Sequence, residues 1–245
     1  MIDLYEDERI DYIVKNKLRI IQSPSVFTFS LDAVLLANFV YVPIQKGMLL
    51  DLCTGTGAVP LILSTRTKGV IKGVEIQERL ANMAKRSVSL NQLDERIHVK
   101  QMDILEFEQE NSVQYDVVTC NPPYFNSNDP KDHNDNQHLA IARHELFCTL
   151  EDVIRISGKK LREGGKAAFV HRPERLMDLL SLMRIHRLEP KRLQFVYPRY
   201  GRDANMVLVE GTKGGKPELR LLPPITVYNE KNQYTEEVQR LYDGI

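Results

Sequence analysis

The chain has few cysteines, no long apolar run and no net charge, and each lack removes a class of protein. Its three cysteines, Cys53, Cys120 and Cys148, share no paired spacing, so neither a disulfide framework nor a zinc site is indicated. No apolar stretch approaches the roughly 20 residues that span a bilayer. The N-terminal stretch is acidic and lacks the basic start and apolar middle of a signal peptide, which points to the cytoplasm. Formal net charge is zero, with 33 Lys/Arg against 33 Asp/Glu. The balance is uneven along the chain. Residues 155–220 hold 16 Lys/Arg and 7 Asp/Glu, and the remainder carries the matching acidic excess. A basic second half suits a phosphate-bearing partner, although solvated faces also collect such side chains.

What is present suffices for one large domain. The 245 residues are 42% hydrophobic and 27% charged, enough for a core of ordinary proportions. Residues 1–44 read as an N-terminal extension with a capping helix, 45–222 as the core and 223–245 as a tail. Residues 7–14 fit an amphipathic helix and 17–22 a strand. Residues 33–39 form an apolar helix, with Ser30 or Asp32 at its start as a helix cap or as a cofactor contact.

From Gly47 onward, apolar strands alternate with helices, the pattern of a parallel sheet. The first strand, residues 48–53, contains Asp51 and runs into Thr54-Gly55-Thr56-Gly57 and a helix over 58–66. Glycines permit a tight turn and close approach of a ligand to the backbone. Pro60 stands where the dinucleotide fingerprint needs its third glycine, and the Asp51 carboxylate would repel a pyrophosphate. It suits an ammonium or sulfonium group instead. The second strand, 70–76, ends with Glu75, about 20 residues after the turn, where a ribose diol is gripped in doubly wound sheets; a helix cap or a surface charge is the plainer reading. A helix covers 77–91. The third strand, 97–101, precedes Asp103, which either bonds an adenine amine or caps a turn.

The fourth strand, 115–120, ends in Asn121-Pro122-Pro123-Tyr124. Consecutive prolines fix two φ angles and keep Asn121 extended. The Asn121 carboxamide oxygen and the Pro122 carbonyl can both accept from an exocyclic amine, and Tyr124 offers a flat face for a planar group. Such an amine is poised for alkylation at nitrogen. Read alone, the tetrapeptide is also an ordinary proline-rich turn. Residues 125–137 are polar, as in a mobile substrate loop; His133 and His138 within that region lack the spacing of a metal site. Arg143 either positions substrate or pairs with Glu145. Then come a helix over 146–161 ended by Gly164-Gly165, a strand over 166–171 and a helix over 172–187. Strands over 192–197 and 205–210 would form an antiparallel edge hairpin around a basic loop bearing Tyr200. An extended tail follows, with a last helix over 235–242 capped by Thr235.

Taken together, Asp51 with the Thr54–Gly57 turn, Glu75, Asp103 and Asn121-Pro122-Pro123-Tyr124 resemble the S-adenosylmethionine-dependent methyltransferases that modify amino nitrogens. Residues 27–37 and 229–237 are similar to the bacterial tRNA (adenine-N6)-methyltransferases that act beside a valine anticodon. That resemblance implies an α/β Rossmann-like class I methyltransferase fold, a doubly wound, mostly parallel seven-stranded sheet with an antiparallel edge hairpin. It implies S-adenosylmethionine as cofactor. Asp51, Thr54, Gly55 and Gly57 would hold the methionine moiety, Glu75 the ribose, and Ile76, Asp103 and Ile104 the adenine, with Asp32 and Asn121 at the margin. Asn121 and Pro122, backed by Pro123, would accept from the target amine, and Tyr124 would stack on a flipped base. The implied partner is tRNA, with Lys159, Lys160, Arg172, Lys191, Arg192, Arg199 and Arg202 available to phosphates. The same tetrapeptide would serve a glutamine amide of a release factor or a guanine amine of ribosomal RNA. A non-catalytic RNA-binding module is the reading from another class.

Overall fold

Alternation within the apolar strands decides the layering. In β3 (Met48–Leu52) and β6 (Tyr115–Cys120), Leu49 and Val117 join one buried cluster while Leu50 and Val118 join another. Strands buried on both faces need helices on both faces. One face is covered by α1 (Leu31–Phe39), α2 (Ala58–Ser64) and Val88 of α3 (Glu78–Leu90). The other is covered by α4 (Ile104–Gln109), α5 (Leu150–Lys160) and α6 (Leu176–Ile185), where Phe107, Ile154 and Met183 pack. The computed structural model describes residues 3–15, 17–26, 28–110, 113–122 and 148–244.

The sheet runs β5 (Ile97–Gln101), β4 (Val70–Glu75), β3, β6, β7 (Leu161–His171), β9 (Met206–Lys213), β8 (Leu188–Arg199), giving seven principal strands. β9 alone among these runs antiparallel to its neighbours. Two short strands, β10 (Arg220–Leu221) and β11 (Ile225–Tyr228), add parallel pairing to β8. The expected hairpin is therefore present, though covered at its outer edge. From β3 the chain winds outward through β4 and β5, then returns to place β6 on the other side of β3. The carboxyl ends of β3 and β6 thus flank the topological switch point, where doubly wound sheets open a crevice.

Three expectations from sequence require correction. Residues 7–14 are not a helix: β1 (Arg9–Ile13) pairs antiparallel with β2 (Leu18–Gln22), turning through Val14 and Lys15 at φ 52 and 50. Strand pairing and the packing of β2 on α3 override a helical pattern only two turns long. Second, Gly164-Gly165 do not end a helix. α5 stops at Lys160 and β7 begins at Leu161; Gly164, at φ 76, lies beside a register irregularity between β6 and β7. Third, Asp32 lies inside the first turn of α1, whose N-cap position is Ser30. The start of α5 is fixed by a capping box, Thr149 with Asp152. The terminal helix α7 (Glu236–Asp243) has Thr235 as its cap, and Val238 is buried. No helix among the described residues is long and apolar enough to cross a membrane.

Candidate functional site

Asp51 is the most buried acid of the crevice, 1% exposed. Its two oxygens each accept one hydroxyl, Thr119 Oγ1 at 2.6 Å and Thr54 Oγ1 at 2.6 Å. Thr119 stands directly across on β6, in register with Asp51. Burial pushes the carboxyl up to about 7 against the pull of the two hydroxyls, and nearby Glu75 adds to the rise. Glu75, 5% exposed, ends β4. One of its oxygens accepts from Gly55 N at 2.8 Å and the other from Gln77 N at 2.9 Å. Burial raises it too, while backbone amides hold it down.

The glycine turn joins these acids. Cys53, Gly55 and Gly57 all have positive φ, 56, 55 and 86. Cys53 pays a steric penalty there that a glycine avoids. A Cβ at Gly55 would meet nothing within 4 Å, so this backbone faces open space; at Gly57 it would come within 3.2 Å of the Ala84 Cβ. Gly55 is thus the turn's open-facing glycine, and Gly57 lets α2 and α3 approach. Thr54 is buried, braces Asp51 and packs on Gly73.

The remaining predicted residues fall in three groups. Ile76 and Asp103 are half-buried beyond β4 and β5. Asp103 caps α4 by accepting from Leu105 N at 2.8 Å, and this settles half of its expected alternatives; its other oxygen stays available. Ile104 is 4% exposed and belongs to the core under α4. Asn121 follows β6 directly and is half-buried, and Pro122 is buried. Because Leu52 is in register with Cys120, Asn121 leaves the sheet level with the start of the glycine turn. Pro123, Tyr124, His133, His138 and Arg143 lie outside the described residues.

Two contributors had no signal strong enough in sequence. Thr119 looks like an ordinary member of an apolar strand until register sets it opposite Asp51. Gln22, fully buried at the end of β2, donates to Thr56 Oγ1 and accepts from Phe29 N, each at 2.9 Å. It ties the segment entering α1, and with it Asp32, to the glycine turn. The cysteines also converge: Cys53 lies beside the thiols of Cys120 and Cys148, and all three are free. The Cys120 contact pushes the Cys53 thiol up, burial does the same for Cys120, and both thiols are correspondingly unreactive.

S-adenosylmethionine fits this chemistry. Two desolvated acids with no cation between them among the described residues favour a ligand bearing an ammonium and a sulfonium, and the open face at Gly55 leaves room beside them.

The same winding order is found in solved methyltransferases. A crystal structure described as a predicted O-methyltransferase from Agrobacterium tumefaciens superposes with a TM-score of 0.69 at 23% identity, covering 87% of this chain and 96% of that one. The fold is that of a class I methyltransferase. A family model, the methyltransferase small domain, matches residues 17–183, and the chain belongs to this family. A relative from Parabacteroides distasonis, named tRNA1(Val) (adenine(37)-N6)-methyltransferase, is 30% identical over 192 residues, covering 77% of this chain and 78% of the relative. A relative of the same name from Porphyromonas gingivalis is 29% identical over 165 residues, 66% of this chain and 64% of its own length.

Proposed function

We propose that the chain transfers a methyl group from S-adenosylmethionine to the exocyclic N6 amine of an adenine in tRNA. The observation that carries the reading is the pairing of β3 with β6, which sets Asn121 beside the turn that follows Asp51. Relatives named for this reaction on a tRNA adenine, one of them alike over 77% of the chain, support the choice of substrate.

Asp51 and the Gly55 backbone would receive the methionine end, Glu75 the ribose hydroxyls, and Ile76 with Asp103 the adenine. When bound, S-adenosylmethionine supplies a methyl group made electrophilic by its sulfonium. The residues at the end of β6 act on the acceptor. The N6 lone pair of adenine is delocalised into the ring and is weakly nucleophilic. The Asn121 carboxamide oxygen and the Pro122 carbonyl would accept its two hydrogens and favour a pyramidal nitrogen, with the lone pair aimed at the crevice. Tyr124 would hold the ring by stacking. The alkylated nitrogen is acidic and gives its proton to solvent without a dedicated base. Positioning and hydrogen bonding therefore supply most of the acceleration.

The test is methyl transfer from labelled S-adenosylmethionine to bulk tRNA, a release factor and DNA, with nucleoside analysis of the product. N6-methyladenosine from tRNA is expected. Label in the release factor alone would replace this reading with glutamine methylation.

A further inference from the structure

The basic second half is less available than its composition suggests. Arg155, Lys159, Arg162, Arg184, Arg187 and Arg192 all face carboxylates. Lys160 is buried and donates to the Glu110 carbonyl, and Lys191 donates to the Lys216 carbonyl. Of the cations expected to meet phosphates, Lys159, Lys160, Lys191 and Arg192 are therefore engaged in holding the fold together.

Strand direction picks out another group. β7 and β8 both run antiparallel to β9, so β8 ends on the same rim as β6. Register carries Cys120 to Phe169, Val209 and Leu193. Tyr200, just past the end of β8 and three strands from β6, thus stands beyond that rim, about 14 Å to the side at the sheet's strand spacing. The tip is built. Arg202 N donates to Arg199 O at 3.2 Å across a turn whose Gly201 has φ 72, and this leaves Tyr200 97% exposed. The Arg199 side chain donates to Asn232 of the tail, whose own turn is set by Asn229 Oδ1 accepting from Lys231 N and Gln233 N. The Arg202 side chain makes no ion pair with a described carboxylate. Asp203 and Glu230 share this corner, so Arg199, Arg202 and Lys231 leave only a small positive surplus.

A fully exposed aromatic two residues from a guanidinium that pairs with no described carboxylate matches the chemistry of an unpaired nucleotide: a base to stack and a phosphate beside it. We propose that the β8–β9 tip grips the RNA substrate, Tyr200 stacking on an unpaired base while Arg202 takes a flanking phosphate. Tyr200 and Asn121 lie at the same rim of the sheet, so one folded RNA can meet both. The inference rests on the tRNA reading above and names the element that reads the loop.

The test uses the full chain with Tyr200→Ala, Tyr200→Phe and Arg202→Gln, measuring cofactor affinity by calorimetry and KM and kcat on bulk tRNA at several salt concentrations. Tyr200→Ala is expected to raise KM for tRNA about tenfold with kcat and cofactor affinity unchanged. Tyr200→Phe should restore it. Arg202→Gln should reduce the salt slope of KM by about one phosphate contact. Wild-type KM and salt slope in all three variants, or a loss confined to kcat, would overturn the proposal and leave the tRNA reading standing. A wild-type enzyme inactive on tRNA would overturn both.

Discussion

Replacing Asp51 by Asn should make the cofactor-free protein respond to pH in the opposite sense from most acid-to-amide changes. The carboxyl is 1% exposed and is raised from 3.8 to about 7, chiefly by burial. A raised folded-state value stabilises the protein fully below the unfolded value, and that contribution is lost as pH climbs through the folded one. Between pH 4 and 8 the wild type therefore loses stability through this group. A shift of about three pH units corresponds to about 4 kcal/mol. Glu75 shares the crevice and takes part of the titration, which brings the expected loss to about 2–4 kcal/mol. Asn cannot ionise. Its curve lacks this step, whatever the fixed effect of altering the bonds from Thr54 and Thr119. Urea or thermal unfolding of both proteins at intervals from pH 4.5 to 8.5 should show the variant gaining on the wild type, by up to about 10 °C in Tm. Parallel curves, or a wild type that gains, would refute the reasoning. In the cofactor complex the order reverses. An ammonium beside Asp51 restores its ionisation, so wild-type affinity should rise with pH through about 7 and binding should release a proportion of a proton, read by calorimetry in buffers of different ionisation enthalpy.

Two further outcomes probe the supports of the crevice. Thr119→Val keeps the volume of a residue in register with Asp51 but removes a 2.6 Å hydroxyl donor; calorimetry at pH 7 should show cofactor affinity lowered about tenfold, with its pH dependence displaced upward. Unchanged affinity would reduce Thr119 to a packing role. Gln22→Leu strands the Phe29 amide and frees Thr56; urea unfolding should report a loss of about 1–3 kcal/mol, accompanied by weaker cofactor binding. Stability within a few tenths of wild type would count against that tether.

How much of this was legible depended on the distance over which the information is written. Asp51, Gly55, Glu75 and Asn121 each sit at the junction of a strand with a turn, and strand, turn and helix are local patterns. Thr119 and Gln22 matter only through register and packing with residues 68 and 34 positions away, and no local window contains that relation. The same holds for the cysteines, whose spacing along the chain hides their convergence at the ends of β3 and β6. Residues 7–14 span only two helical turns, too short a window to separate a helical period from a strand period, and β1 lies within them. The charge surplus of the second half was legible; its partial pairing with carboxylates outside that stretch, Glu108 on α4 and Asp116 on β6, was not.

The central claim is that a cofactor crevice between β3 and β6 presents a methyl donor to an amine held by Asn121. Asn121→Ala in a single-turnover assay, with cofactor affinity measured on the same preparation, tests it most directly. The account predicts transfer slowed by about 100-fold or more with cofactor affinity within a factor of about two of wild type. Transfer at the wild-type rate would contradict it.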